Sequence, residues 1–252
     1  MAGNVSTPGA TVTSRVLALI GAFDEEHRTL SLSELAVRAD LPLPTAHRLV
    51  GELVTWGALT RRPSGRYVVG RRLWDVGLLA PVQTGLRQLA SPFLHDLYGA
   101  TLATVHLAVR DGTEVLYLDR LAGNTSVPVV SSIGSRLPLH STGVGKVLLA
   151  HAPAEVQTAV LSDLRRVTPY TITQPGTLRR QLARVQRDGY ATTVEEMSLG
   201  ACSVAVPIRT EQGVVAALGI VVPNLRNDRA KLVAAMQVAG QGIARALAAA
   251  RD

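Results

Sequence analysis

The chain has 252 residues, of which 47% are apolar and 18% charged, a composition that supports a buried core and excludes global disorder. At roughly 150 residues per domain, this length predicts one large domain or two smaller ones. The longest apolar run, residues 214–222, is too short for a membrane-spanning helix. The N-terminus has no basic residue before Arg15 and lacks the pattern of a secretory signal, so we expect a cytoplasmic protein without a membrane partner.

The single cysteine, Cys202, excludes an intrachain disulfide and a zinc site built from cysteines. Charge is more informative, because 26 Lys and Arg residues against 19 Asp and Glu residues give a net charge of +7. A basic protein of this kind suggests a polyanionic partner, although so modest an excess is also compatible with a basic surface that has none. No acidic residue lies between Glu52 and Asp75, and that window contains five arginines: Arg61, Arg62, Arg66, Arg71 and Arg72.

Three short helices are predicted in the first sixty residues. Residues 14–23 carry apolar side chains at helical spacing, and we expect Ser14 to cap that helix. Ser31 and Glu34 form a capping-box pattern that opens a second helix. The chain then breaks at residues 40–44, and Pro44 suits the first turn of a third helix. The side chains expected to face inward from the third helix are Ala46, Leu49, Val50 and Leu53.

Two short helices with a tight break between them are typical of a helix-turn-helix. Thr45, His47 and Arg48 would lie on the outer face of its second helix, where they could contact base edges and phosphates. Arg15, on the first helix, is a further candidate DNA contact. By themselves, these residues are also compatible with a three-helix cluster whose polar face is simply solvated.

The segment after the third helix favours DNA binding. Residues 59–69 alternate around Pro63-Ser-Gly65, which predicts a hairpin, and a hairpin that directly follows a helix-turn-helix is a wing. Arg61, Arg62 and Arg66 would flank its tip and could meet phosphates or the minor groove. The combination is more specific than either part, so we expect double-stranded DNA as a partner.

Residues 71–98 have a helical pattern that Pro81 and Pro92 should interrupt. Such a helix could pack on a second subunit or within its own chain. From residue 101 the pattern changes to strands mixed with helices without strict alternation, which predicts an α+β domain with a largely antiparallel sheet. Its predicted strands cover residues 103–109, 114–121, 127–131, 190–195, 203–209 and 214–222. Within residues 137–150 a turn gives way to a helix, further helices cover 155–161 and 177–187, and Asn227 is expected to cap a last helix that ends near residue 250.

Signatures of catalysis are weak. Gly143-Val-Gly-Lys146 is no phosphate loop, because Val147 replaces the hydroxyl residue that would hold magnesium. Glu195 and Glu196 are adjacent, and on a strand they would point to opposite faces. The amides of residues 141–146 could hold a carboxylate, or the segment could be a plain glycine-bearing turn. We expect no enzyme, cofactor or metal site; an enzyme would have to rely on His140, Ser141 and Glu195, which have no recognisable spacing.

Three motifs carry a family resemblance over essentially the whole chain: the helix-turn-helix LPLPTAHRL (41–49), the segment LPLHSTGVGKVLLA (137–150), and GYATTVEEMSLGACSVAVPI (189–208) followed by GVVAALGIVVP (213–223). The chain resembles the IclR-type transcriptional regulators. The resemblance implies a disordered N-terminus (1–11), a winged helix-turn-helix (12–74), a linker helix that dimerises (75–98) and a GAF-like effector-binding domain (99–252). It also implies a palindromic operator, a homodimer or homotetramer, and a small-molecule effector; a repressor is favoured over an activator.

The effector-binding positions implied by the family motifs are Ser141, Gly143, Val144, Thr193, Ser203, Gly219 and Val221. Thr193 is neutral, and Gly219 and Val221 offer no side-chain donors, so we expect an aromatic or hydrophobic acid rather than a small dicarboxylate. Its carboxylate would meet the amides of residues 141–145. Cys202, next to Ser203 on a strand, should face the other side and be structural. The alternative is a C-terminal domain that only oligomerises and binds no effector.

Overall fold

The computed structural model describes residues 11–24, 26–78, 84–123, 126–127, 129–225 and 228–250. The chain forms two compact units, Met1–Val82 and Gln83–Asp252. The predicted disordered segment, residues 1–11, lies outside the described residues except for Thr11, which is ordered as the N-cap of the first helix.

The N-terminal unit contains three helices, a short hairpin and a fourth helix. In chain order these are α1 (Val12–Gly21), α2 (Leu32–Arg38), α3 (Leu43–Trp56), β1 (Leu59–Arg61), β2 (Tyr67–Val69) and α4 (Arg71–Leu78). The expectation that Ser14 caps α1 is wrong: the Ser14 amide donates to Thr11 Oγ1 at 3.1 Å. The helix begins before its first inward side chain, so apolar spacing alone places its start too late.

The predicted capping box at the start of α2 is confirmed. The Ser31 amide donates to Glu34 Oε2 at 2.6 Å, and the Glu34 amide donates to Ser31 Oγ at 3.2 Å. Pro44 lies in the first turn of α3, where its missing N–H removes no helix bond. The four predicted inward side chains of α3 are buried, in one core with Leu19 and Leu35.

The predicted hairpin is also confirmed. β1 and β2 pair antiparallel, with Leu59 opposite Val69 and Arg61 opposite Tyr67. Leu30, just before α2, forms an isolated bridge with Tyr67 and so joins the hairpin to the helices. A three-helix unit with an attached hairpin is a winged helix-turn-helix.

The C-terminal unit is an antiparallel sheet covered by helices on both faces. Its elements are α5 (Thr84–Thr101), β3 (Thr104–Asp111), β4 (Glu114–Leu121), β5 (Arg136–Pro138), α6 (Gly143–Ala150), α7 (Ala154–Ser162), α8 (Pro175–Asp188), β6 (Ala191–Val194), β7 (Cys202–Thr210), β8 (Gly213–Val222) and α9 (Arg229–Ala249). The described strands pair in the order β5-β4-β3-β8-β7-β6, and every neighbouring pair is antiparallel. The α+β prediction is confirmed.

Successive side chains along each strand point to opposite faces of the sheet, so the C-terminal unit has two hydrophobic cores, one on each face. On one face, Leu107 and Leu218 pack with α5 and α9, where Leu94 and Met236 are buried. On the other face, Ala108, Ala205 and Ala217 pack with α6 and α8. Small side chains on this second face let α6 approach the sheet closely, which matters for the site described below.

Two sequence expectations about this unit differ from the structure, and a third lies outside the described residues. The described part of residues 127–131 forms no strand, and the short β5 at residues 136–138 is the partner that β4 uses instead. Pro92 lies inside α5 without ending it, because the buried face of that helix packs in the core with α9, whereas Pro81 lies outside the described residues. Asn227 lies outside the described residues, and α9 begins after Asp228.

The last helix, α9, is long and apolar enough to cross a membrane by length and composition alone. It packs on β7 and α5, and the side chains that it buries include Leu232, Met236 and Ile243. Its apolar face therefore has a partner within the domain.

A paired glycine substitution tests the α5–α9 contact. A Cβ at Gly242 would overlap the ring of Phe93, so Gly242→Ala should destabilise the protein by about 1–3 kcal/mol through overpacking. Gly99→Ala in α5 meets open space and should be neutral or stabilise by about 0.4–1 kcal/mol. Urea unfolding of both variants measures the two changes; equal stability of the two would contradict this packing.

Candidate DNA interface and effector cavity

The outer face of α3 carries the predicted reading residues. His47 and Arg48 are exposed, and Thr45 is half-buried near the start of the helix. Arg48 Nη1 lies 2.5 Å from Glu52 Oε1, one turn along, and about 60% of each side chain is exposed. An ion pair this exposed contributes little stability, so Arg48 can exchange Glu52 for a phosphate or a base edge at small cost.

The predicted arginine contacts outside α3 divide into two groups. Arg61 and Arg62 are exposed on the wing, where Arg61 lies 6.0 Å from the ring centre of Tyr67, and Arg15 is half-buried on α1. Arg66 instead faces the protein: its Nη2 donates to Glu34 Oε2 at 2.8 Å and to the carbonyl of Thr29 at 2.9 Å. Arg66 therefore ties the wing to α2, and its contact with DNA stays a prediction.

A second anchor in this unit was not foreseen. The guanidinium of Arg72 stacks over the Trp56 ring at 4.7 Å, which joins α4 to the end of α3. Like Arg66, Arg72 belongs to the acid-free window. Arg71 there also lies 3.7 Å from Asp75, and Arg61 lies over Tyr67, so at least four of its five arginines have contacts within the protein. The number of arginines in that window therefore overestimates how many are free to contact DNA.

The C-terminal unit encloses a cavity of about 50 Å³ between the sheet and the start of α6. Six of the seven predicted effector residues line it: Gly143, Val144, Thr193, Ser203, Gly219 and Val221. The seventh, Ser141, is fully buried beside it, and its hydroxyl donates to Met197 Sδ, 3.4 Å away. Residues from α6 and from three strands thus converge on one space; their binding of an effector stays a prediction.

Two glycines set the shape of this cavity. A Cβ at Gly143 would overlap Ser203 Oγ, and a Cβ at Gly219 would lie 2.6 Å from Val144 Cγ1. Only glycine allows α6 to come this close to β7 and β8. Beside them, Thr193 and Ser203 share a hydroxyl–hydroxyl hydrogen bond of 2.6 Å on adjacent strands.

The aromatic side of the cavity was not predicted from the sequence. His106 on β3 is buried, its Nε2 lies 2.8 Å from Ser131 Oγ, and its ring meets Tyr117 edge-on at 4.9 Å. Burial, with the nearby charge of Arg120, lowers the pKa of His106 to about 3, and burial raises the pKa of Tyr117. Both side chains are therefore neutral at neutral pH. The hairpin of β3 and β4 was predicted, but nothing in its alternation showed that His106 faces a cavity.

The paired glutamates also differ from expectation. β6 ends at Val194, and Glu195 has φ of +54°, so neither glutamate lies on a strand. Glu195 Oε1 accepts the Gly200 amide at 2.6 Å, whereas Glu196 turns inward and lies 2.5 Å from Lys146 Nζ. Burial raises the pKa of Glu196 and lowers that of Lys146, and each partner's charge opposes the shift of the other.

Cys202 is buried, as expected of a structural residue, and its thiol donates to the carbonyl of Pro223 at 3.7 Å. Contrary to the expected opposite orientation, it also borders the cavity next to Ser203, because it begins β7 at the cavity rim. Burial raises the pKa of the Cys202 thiol. Within the described part of the chain, no group of three or more His, Cys, Asp or Glu side chains could hold a metal ion.

The buried His106 predicts a pH dependence of stability. Below pH 6.5 the histidine of the unfolded chain binds a proton, while His106 in the folded protein stays neutral until about pH 3. The free energy of unfolding therefore decreases as the pH is lowered from 6.5 to about 3. One such group contributes a slope of up to about 1.4 kcal/mol per pH unit. His106→Gln, which keeps a partner for Ser131, should make the fall shallower.

Hydrogen-exchange protection of β3 and β8, measured in the full chain from pH 7 to pH 4 and corrected for intrinsic rates, checks this expectation. The exposed His47→Gln is the matched control and should keep the wild-type slope. An equal slope in His106→Gln and in the control would show that His106 is not held neutral by the fold.

Comparison with known proteins agrees with this architecture. Residues 12–63 match the IclR helix-turn-helix domain, and residues 80–247 match the bacterial transcriptional regulator IclR C-terminal domain. The chain is 32% identical over 240 residues to the HTH-type transcriptional regulator XynR of Escherichia coli, covering 92% of this chain and 95% of that one. It is 30% identical to the HTH-type transcriptional repressor AllR of Escherichia coli, and the match covers 88% of this chain and 83% of AllR.

Solved structures show the same likeness. An IclR homolog from Microbacterium hydrocarbonoxydans, complexed with 4-hydroxybenzoate, superposes with a TM-score of 0.91 at 38% identity, covering 95% of this chain and all of that one. The Thermotoga maritima IclR gives a TM-score of 0.77 at 29% identity, covering 92% and 97%. The present chain has a winged helix-turn-helix and an α+β C-terminal unit. Together with these matches, they show that the chain belongs to the IclR family of transcriptional regulators.

Proposed function

We propose that this chain is a repressor whose affinity for its operator is controlled by an aromatic or otherwise hydrophobic acid bound in the C-terminal cavity. The observation that carries the proposal is the convergence of six motif-derived residues on one cavity with an aromatic wall. The 4-hydroxybenzoate complex of the Microbacterium homolog supports the ligand class, and the repressor AllR supports the direction of regulation. As a DNA-binding regulator, the protein would act in the cytoplasm.

The chemistry of the walls favours a flat, apolar ligand. Tyr117, Val144 and Val221 offer apolar surface, and His106 is neutral, so nothing there would balance a second carboxylate. A single carboxylate would meet the amides of Gly143 and Val144, where the helix dipole favours an anion, since the amides of Gly145 and Lys146 already donate to Thr142. Small dicarboxylates would lose more hydration than this cavity can replace.

The cavity must enlarge to accept such a ligand. Its volume of about 50 Å³ is below the roughly 150 Å³ of an engineered cavity that binds benzene. Binding would therefore select a more open arrangement of the walls, and a ligand that favours one arrangement shifts the population toward it. This requirement links ligand binding to a change of shape, as a regulator needs.

On the DNA side, we propose that α3 enters the major groove and the wing contacts the backbone. A homodimer or homotetramer would present two recognition helices to a palindromic operator with half-sites about 34 Å apart, or a multiple of that distance. Ligand and operator would then be coupled by about 1–3 kcal/mol, a 5- to 150-fold change in affinity.

The alternative is that the C-terminal unit only oligomerises, and the small size of the cavity favours it. An enzyme fused to a DNA-binding domain has less support, since the Ser141 hydroxyl is fully buried and donates to Met197 Sδ, which cannot act as a general base. We expect no turnover of a bound acid.

Arginine substitutions test the DNA interface on a fragment selected by the wild-type chain from a random library. Arg48→Ala should weaken binding by about 1–3 kcal/mol and relax base preference at one position. Arg62→Ala should weaken all sequences alike and reduce the salt slope by about one. Arg179→Ala, an exposed change on α8, is the control and should do neither; an unchanged slope in Arg62→Ala would remove the wing from the interface.

Calorimetry with the full chain tests the effector. Benzoate and 4-hydroxybenzoate should bind at least about tenfold more tightly than glyoxylate or pyruvate, and Gly219→Ala should abolish binding because its Cβ would crowd Val144. The bound acid should also weaken operator binding. Binding of glyoxylate or pyruvate alone would overturn the ligand class, and no heat with any acid would favour the oligomerising alternative.

A further inference from the structure

A buried ion pair lies beside the cavity without lining it. Lys146 on α6 and Glu196 have 1% and 7% of their side chains exposed, and Nζ lies 2.5 Å from Oε1. Nζ also donates to Gln181 Oε1 on α8 at 2.7 Å. One ammonium group thus joins two helices to the segment that follows β6.

That segment, residues 195–200, is here named the cavity loop, because Met197 and Ser198 form part of the cavity wall. Beyond its local bonds, the loop is attached by this ion pair, by the Ser141 hydroxyl, which donates to Met197 Sδ at 3.4 Å, and by two threonine hydroxyls. Thr168 and Thr171 donate to the carbonyls of Glu195 and Glu196, each at 2.7 Å. Lys146 is therefore the charged link between the loop and α6, the helix whose start forms the opposite wall.

Stability alone gives little reason for this pair. A buried ion pair loses hydration that its attraction only partly returns, and apolar side chains of similar size are often at least as stable. Here the network is also imperfect, because Glu196 Oε2 is buried without a well-aligned hydrogen bond among the described residues, although the Ile172 amide lies close enough to favour the charged carboxylate. The ion pair does, however, fix the distance between the cavity loop and α6, because its hydrogen bond is directional.

We propose that Lys146 and Glu196 are positioning residues for effector binding: their ion pair holds the cavity loop against α6 and so sets the width of the cavity. This inference rests on the proposed function, since it assigns a role in binding the same acid. Neither Lys146 nor Glu196 lines the cavity. Their effect on the bound acid would be transmitted through Met197, Ser198 and the start of α6.

The test compares a broken pair with an apolar replacement of both partners. Lys146→Met leaves a buried carboxylate alone and should lower the melting temperature, whereas Lys146→Met/Glu196→Met should recover most of it. In the double variant, 4-hydroxybenzoate should still bind at least tenfold more weakly than in the wild type. Peptides covering the cavity loop should also exchange amide hydrogens faster without ligand, while β3 and β8 stay protected.

Arg187→Met, which removes an exposed pair with Asp188 on α8, is the matched control and should match the wild type in both measurements. If the double variant does not fold, Glu196→Gln is used instead. It keeps an oxygen acceptor for Lys146 but no charge, and it should weaken ligand binding and speed exchange of the cavity loop by smaller factors.

The outcomes separate this inference from the proposed function. Wild-type affinity in the double variant, or in Glu196→Gln where the double variant does not fold, overturns the positioning role and leaves the effector intact. If the wild type binds no aromatic acid, the proposed function fails, and only the amide-exchange rates of the cavity loop then test the role of the ion pair. Faster exchange confined to the cavity loop then supports only the part of the inference by which the pair holds the loop against α6, the role in effector binding having failed with the proposed function, and unchanged exchange overturns that part too.

Discussion

The close approach of α6 to the sheet is the constraint on which the C-terminal unit depends. The first turn of α6 lies so near β7 and β8 that a methyl group at Gly143 or Gly219 would overlap a neighbour. One wall of the cavity is therefore formed by glycine backbone and Val144, which carry no side-chain polar groups. In the proposed effector site, shape and backbone amides, rather than charged side chains, would therefore select a ligand at this wall.

Polar groups are concentrated around that approach rather than spread through the core. His106, Lys146, Thr193 and Glu196 are all buried within or beside the cavity. Burying such groups costs free energy unless each finds a partner, and here most do so across separate elements. A core chosen for stability alone would hold apolar side chains at these positions, and the cluster lies where the effector site is proposed.

In the N-terminal unit, arginines of similar sequence context have different roles. Arg66 and Arg72 hold the wing and α4 to the helices, through Glu34 and Trp56. Arg61 and Arg62 are exposed on the wing. Net charge does not distinguish the two groups, because a guanidinium that stacks or pairs within the protein counts equally with one that is free to meet a phosphate.

The sequence by itself determined the features that depend on residues a few positions apart: the capping box at Ser31, the buried face of α3, the wing hairpin and the α+β class. Motif position also placed six residues around one cavity. Only the tertiary structure decided that His106 meets Ser131, 25 positions away, and that Lys146 meets Glu196, 50 positions away. Caps and turns are local, whereas the face that a strand residue presents and the partner that a buried charge finds depend on packing between distant segments.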